Sequence, residues 1–303
     1  MNLRRPHAPA LAMAGLVAVT AIWGSTFFLI KDLVARMAVA DFLAVRFAVA
    51  ALVMLLLFQR PLRRLSRREW GQGVLLGVIY GIGQLLQTAG LAHTSASISG
   101  FVTGMYVVFT PLLGTLLLRQ RLPPVTWLAV LLAVGGLALL ALHGLSIGYG
   151  VWITLVSALL YGLHIVGLGL WSRPGSAFAL STVQVLVIAV VCLCATLPQG
   201  PSLPPDRAAW LAVSYMALAA GAGAMLMQTW AQAHLSATRA AIVMTLEPVF
   251  AAGFAVGFGG EALGWRMLVG GALVLAAMYL VELAPRRSGG ADEPPAEAIH
   301  HEV

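Results

Sequence analysis

Lysine is almost missing from this chain of 303 residues: Lys31 stands alone, the rest of the 18 basic residues being arginine. No glycine precedes Lys31, which excludes a phosphate-cradling P-loop, whose lysine must follow glycine. No HExxH pattern occurs either, so the zinc-peptidase helix is absent too. Cysteine is scarce: Cys192 and Cys194 lie two apart in one apolar run, where a helix points them to different sides, unlike a redox or metal pair. Charge is scarce as well. Only 10% of residues are charged while 60% are hydrophobic, and the mean hydropathy is +0.91. That is too little polar surface to cover a soluble particle. The chain reads as an integral membrane protein.

Uncharged apolar runs long enough for a ~30 Å hydrocarbon core fall near 9–30, 42–58, 70–92, 97–118, 123–142, 148–170, 177–197, 208–232, 237–258 and 262–283. The expectation is ten transmembrane helices. Arg4-Arg5 ahead of the first run resembles a signal peptide, but with further spans following it reads as an uncleaved first helix. The net charge of +7 resides in loop arginines and reports membrane orientation, not nucleic-acid binding. Thirteen Lys and Arg residues flank the side holding both termini, against four (Lys31, Arg36, Arg207 and Arg266) on the other. Both termini are therefore expected in the cytoplasm. The residues after Pro285 have no apolar period and read as a disordered cytoplasmic tail over 286–303; His300 and His301 in it do not make a metal site.

The chain repeats itself. An offset of 141 residues superposes Gln87 on Gln228, Thr88 on Thr229, His93 on His234, Ser95 on Ser236 and Ala96 on Ala237, and carries Gln120 onto Glu261. A weaker echo at an offset of 138 pairs Trp23 with Tyr161 and Gly24 with Gly162. Five spans per copy is an odd number, so the second copy must enter the membrane upside down. The expected fold is all-α: two inverted five-helix repeats, 1–142 and 143–285, around a central cavity. Gly73, Gly77 and Gly81 in the third span, with Gly100 and Gly104 in the fourth, let helices approach closely and mark the bundle interior. Spans five and ten, poor in polar residues, read as peripheral scaffold.

Glu247 is the only acidic residue well inside a span, and ten residues at ~1.5 Å each place it ~15 Å deep, near the midplane. The repeat equates it with Tyr106. Pro248 beside it removes a backbone donor and loosens the helix there. An ionised carboxylate at that depth costs at least a few kcal/mol unless paired; Arg239, eight residues away, is ~12 Å off along the helix. Glu247 is thus expected to be neutral in a closed cavity and a candidate for coupling to protons; a structural carboxyl that only supports packing is the alternative. His164, one turn from Tyr161, could shuttle protons, bind a polar solute or simply pack. Trp23 is the tryptophan deep in a span, with Gly24 and Ser25 beside it. Arg46 enters the second span from the outer side and reads as snorkelling to the headgroups, with attraction of a carboxylate as the alternative. Gln84, Gln87 and Gln228 offer neutral amides. His93 and Ser95 sit at a span end and make a poor catalytic pair. The candidate solute-binding set is Trp23, Tyr80, Gln84, Tyr106, Tyr161, His164 and Glu247, with no catalytic residue, cofactor or metal ligand.

Four stretches carry a resemblance: Trp23-Gly-Ser-Thr26, Thr94-Ser-Ala-Ser-Ile-Ser-Gly100, Glu247-Pro248 and Gly259-Gly-Glu261. Together they resemble the EamA family of the drug/metabolite transporter superfamily over the chain up to Glu282. Gly100 to Pro111 looks most like its bacterial amino-acid exporters, the aromatic amino-acid exporter included. Where the family has an acidic residue ending the fourth span, this chain has Gln120. The resemblance implies ten helices, a central cavity and export of small metabolites; the expectation is alternating access in the inner membrane, with the lipid bilayer and a small-molecule substrate as partners, the proton as a candidate coupling ion against a merely facilitative transport, and no nucleic acid. The alternatives are a multidrug or other metabolite exporter of the same fold, a membrane sensor or scaffold, and a membrane-embedded enzyme.

Overall fold

The computed structural model describes residues 8–118, 124–143, 146–198, 200–235, 240 and 243–283. Gln120, Arg239, the arginine pairs near both termini and the 286–303 tail with His300 and His301 lie outside them. The first half runs α1 (Ala8–Val34), α2 (Val39–Leu62), α3 (Arg67–Ala92), α4 (Ala96–Gly104), α5 (Tyr106–Leu118) and α6 (Pro124–Ala141). Leu142–His143 (β1) and Ser146–Ile147 (β2) then pair as a two-residue antiparallel ladder. The second half runs α7 (Tyr149–Trp171), α8 (Ala177–Thr196), α9 (Arg207–Tyr215), a π-helical segment Met216–Gly223, α10 (Ala224–Gln232), α11 (Glu247–Gly257) and α12 (Trp265–Leu283).

Helix starts follow from capping chemistry. Ser66 opens α3 with a capping box: its hydroxyl accepts from the Glu69 N–H at 3.2 Å, while its own N–H donates to Glu69 Oε2 at 2.9 Å. Asp206 opens α9 by accepting the Ala209 N–H at 2.7 Å. That bond, with the Arg36 guanidinium 2.7 Å from Oδ2, holds the Asp206 carboxyl below the usual carboxylate range. Ser95 caps α4 by accepting from Ile98 N. Glu261 reaches the same helix start from the other half, accepting from Ala96 N at 2.6 Å and Ser97 N at 3.2 Å. At the neighbouring helix end, Lys31 donates to the carbonyls of Leu91, Ala92 and Thr94 at 2.7–3.1 Å. The carbonyls at the C-terminal end of α3 and just beyond it thereby meet a cation.

Among the described residues, seven helices are long and apolar enough to cross a membrane, α4 with α5 forming one and α9 through α10 another. Three shorter apolar helices, Trp127–Leu140, Glu247–Gly257 and Trp265–Leu280, fall where the fifth, ninth and tenth spans were expected. Large apolar side chains cover the outside, Leu57 at 67%, Leu116 at 76% and Leu131 at 70% exposure. Glutamines, a histidine, an arginine and a glutamate are buried inside. Such a polarity suits a hydrocarbon solvent and no aqueous one. The protein is an all-helical, multi-pass membrane protein.

The two halves are interlocked. α3 packs on α7 and α8, α2 on α8, α1 on α11, and α6 on α12, so helices find their main neighbours across the midpoint of the chain. Glycine makes this possible. A Cβ on Gly77 would stand 2.7 Å from Val187 Cβ and 2.8 Å from the Gln184 carbonyl oxygen. One on Gly136 would stand 2.7 Å from the Gly270 carbonyl. α6 and α12, expected as scaffold, thus lie directly against each other.

Candidate functional site

α3 carries two faces. Gly73, Gly77 and Gly81, four apart, meet Val183, Val187 and Val191 or their neighbours on α8, while Tyr80, Gln84 and Gln87 line up on a second face at helical spacing. That second face looks into a cavity. Around it stand Trp23, Thr26, Phe27 and Ile30 of α1, Arg46 of α2, Thr103 of α4, Tyr106 of α5, Tyr161, His164 and Ile165 of α7, Gln228 of α10, and Met244 and Glu247. All seven residues singled out from the sequence therefore surround one space. The cavity is narrow, with a volume of ≈ 40 Å³.

Two helix interruptions build its floor. α4 ends at Gly104 and α5 begins at Tyr106; Thr245 and Leu246 form a turn and α11 begins at Glu247. The sequence places Glu247 in mid-helix, with Pro248 loosening the helix there. The structure corrects this: the break precedes Glu247, and Pro248 sits in the first turn, where its missing N–H costs nothing. Tyr106 and Glu247, 141 residues apart, meet across the cavity. The Tyr106 hydroxyl lies 2.8 Å from Glu247 Oε2 and 3.2 Å from the Met244 carbonyl.

Arg46 is the second correction. Far from snorkelling outward, it is 3% exposed. Its Nε donates to the Met216 carbonyl at 3.2 Å and its Nη1 makes a long contact, 3.5 Å, to Gln84 Oε1. From there hydrogen bonds run on in one direction. Gln84 Nε2 donates to the Tyr161 hydroxyl at 2.6 Å, Tyr161 donates to Gln87 Oε1 at 3.0 Å, and Gln87 Nε2 donates to Thr103 at 3.1 Å. Aligned donors polarise one another. The π segment supplies two anchoring carbonyls: Met216 holds Arg46, and Ala220 accepts from Trp23 Nε1 at 3.0 Å. π-helical turns tend to mark functional positions.

His164 is tied elsewhere. Gln184 Nε2 donates to the Leu180 carbonyl at 3.2 Å, which turns its oxygen toward His164 Nε2 at 2.7 Å. Tyr80 packs against both the His164 ring, centroids 4.9 Å apart, and the Tyr161 ring at 5.0 Å. Ser95 and His93 are not a pair, since Ser95 caps α4 and the His93 ring packs edge-on to Tyr149. Among the described residues no group of three or more His, Cys, Asp or Glu side chains could hold a metal. Sequence reasoning missed Arg46, Thr103 and the α1 residues beyond Trp23 as lining residues. The helical spacing Trp23, Thr26, Phe27, Ile30 could have found the last group.

An apolar exterior, a buried polar cavity and helices broken at its floor define the class: a polytopic helical membrane transporter. Comparison places it more closely. The sequence profile of the EamA-like transporter family matches residues 10–142 and again 148–283. A protein of Archaeoglobus fulgidus described as an uncharacterized transporter is 30% identical over 270 residues, spanning 89% of this chain and 85% of that one. A solved crystal structure superposes with a TM-score of 0.66 over 91% of this chain and 99% of the other at 18% identity, a likeness of fold alone. The chain belongs to the EamA-like transporter family.

Proposed function

We propose that this protein is a secondary transporter that exports amino acids, aromatic or neutral, or similar small metabolites by alternating access of the central cavity. It crosses a bacterial inner membrane ten times as two inverted five-helix repeats, 1–142 and 143–285, with both termini in the cytoplasm. Trp23, Tyr80, Gln84, Tyr106, Tyr161, His164 and Glu247 contact the solute. The observation that carries this reading is the meeting of two helix interruptions, one from each half, at the Tyr106–Glu247 hydrogen bond in the cavity floor. The twofold match of the family profile supports the duplication. At ≈ 40 Å³, well below the ~150 Å³ that takes up a benzene molecule, the cavity as described is too small for an aromatic amino acid, so loading requires the halves to move.

Glu247 is the proposed proton carrier. When it is ionised, the Tyr106 hydroxyl donates to it; when it is protonated, its own hydroxyl can donate to Tyr106, whose proton then turns to the Met244 carbonyl. Both states leave the Tyr106 hydroxyl with an acceptor and keep the Tyr106–Glu247 hydrogen bond, so neither gain nor loss of the proton strands the pair.

The test is counterflow of labelled aromatic and neutral amino acids in proteoliposomes containing only this protein. Saturable exchange above protein-free vesicles is expected, and no exchange of any amino acid would sink the export reading. Glu247→Gln, which keeps a carbonyl oxygen in the same place, should retain counterflow at lower apparent affinity and lose accumulation driven by a proton gradient; wild-type behaviour in both assays removes Glu247 from the mechanism. Single cysteines in 59–69 and 143–148 should react with an impermeant thiol reagent from opposite faces, and reaction from one face refutes the inverted topology.

A further inference from the structure

A guanidinium and a carboxyl line the cavity without pairing with each other. Arg46 and Glu247 are 3% and 4% exposed, both face the same space, and among the described residues the ion pairs within 4.0 Å are those of Arg36 with Asp32 and Asp206. Burying a cation without its counter-ion is expensive, and helices close-packed by glycine could readily have supplied one. Arg46 has donors to spare. A guanidinium carries five N–H groups in a planar fork, of which the described structure engages Nε and, at long range, Nη1. The face of the Phe47 ring, 5.0 Å from Cζ, adds a cation–π contact but no acceptor. In the same lining Gln228, 2% exposed, leaves its Oε1 without a hydrogen-bond partner. The cavity thus holds an unfilled donor fork, an unfilled acceptor and a carboxyl, together with the neutral Gln84–Tyr161–Gln87 chain.

We infer that Arg46 is the carboxylate anchor of the solute site, so that the cavity selects zwitterions, with Glu247 and Gln228 Oε1 receiving the ammonium. A carboxylate matches the guanidinium fork with two parallel hydrogen bonds, and an ammonium offers three donors to acceptors that lack them. The aromatic walls then meet the side chain. This rests on the export reading and adds which two groups of the amino acid are recognised. A site built to bond a charged group rejects analogues lacking it strongly, because its own buried groups are left unpaired.

The experiment is competition of phenylalanine counterflow in proteoliposomes by three compounds sharing one ring: phenylalanine, phenethylamine without the carboxylate, and 3-phenylpropionate without the ammonium. Wild type is expected to be inhibited by phenylalanine at concentrations at least tenfold below either analogue. Arg46→Gln should weaken phenylalanine at least tenfold while leaving phenethylamine unchanged, collapsing the preference between them; Arg46→Lys, which keeps the charge but loses the fork, should fall between. Wild type that accepts either analogue as well as phenylalanine overturns the inference even if Arg46→Gln does not fold. So does an Arg46→Gln variant that weakens all three compounds alike. Exchange of phenylalanine without discrimination sinks this inference alone, whereas absence of exchange of any amino acid sinks the export reading with it.

Discussion

Tyr106 and Glu247 should be coupled energetically, and a double-mutant cycle can read the coupling. The hydroxyl and the carboxyl are 2.8 Å apart on α5 and α11, and Glu247 makes no other hydrogen bond among the described residues. Interhelical hydrogen bonds in membrane proteins average only ~0.6 kcal/mol in such cycles, with a maximum near ~1.7, because helices apart in lipid find substitute partners. Here the pair is enclosed between two helix interruptions, and removing either member leaves the other buried with at most one remaining partner. The upper end of the range is expected, about 1.5 kcal/mol, or roughly tenfold in an equilibrium constant. The variants are Tyr106→Phe, Glu247→Leu and the two combined, with unfolding followed in mixed micelles of increasing SDS content. Tyr106→Phe should cost much more in the presence of Glu247 than in its absence. A coupling within ~0.3 kcal/mol of zero would mean that the two residues act independently, and the reasoning from the cavity floor would fail.

Gly90→Ala should destabilise by about 2–3 kcal/mol: the new Cβ would lie 2.1 Å from Thr154 Oγ1 and 2.6 Å from the Gly150 carbonyl, and Thr154 is held by its own bond to that carbonyl. An unchanged melting temperature in detergent would show that α3 and α7 are less tightly apposed. For Asp206→Asn the expectation is a pH-dependent loss. A carboxyl held below its ordinary value in the fold stabilises fully above about pH 4 and ceases to do so as the pH falls through its folded value. The variant's deficit in thermal stability should therefore be present at neutral pH and close on acidification; a deficit that persists in acid refutes the Arg36 and Ala209 account.

The membrane class was legible because uncharged runs of span length have one explanation, and the Tyr106–Glu247 meeting was legible because an offset of 141 makes them equivalent. Other features left no trace. In α2 the buried stripe Phe42, Arg46, Ala50, Met54 recurs every four residues, but its other faces are apolar too, so nothing marked which way Arg46 points. Depth along a helix gave its distance from the headgroups and not its direction. The π segment Met216–Gly223 reads MALAAGAG, a composition equally at home in an ordinary helix. Nor could Pro248 alone say whether it bends a helix or begins one, since both uses respect its missing N–H.

The interlocking of the halves has a consequence for how the chain is made. Gly77 of α3 finds its partner Val187 about 110 residues later, and at roughly 5–20 residues per second that partner emerges some 5–20 s after it. Throughout that interval the glycine face can be covered by lipid tails at little cost, since lipid is as apolar as the valines it stands in for. The opposite face cannot be so covered: Gln84 and Gln87, and Arg46 on α2, need Tyr161 and the Met216 carbonyl, none of which yet exists. The nascent first half must hold those groups near water or against one another until the second half arrives. Synthesis in one direction thus imposes a waiting state on a molecule whose finished form has no separable parts.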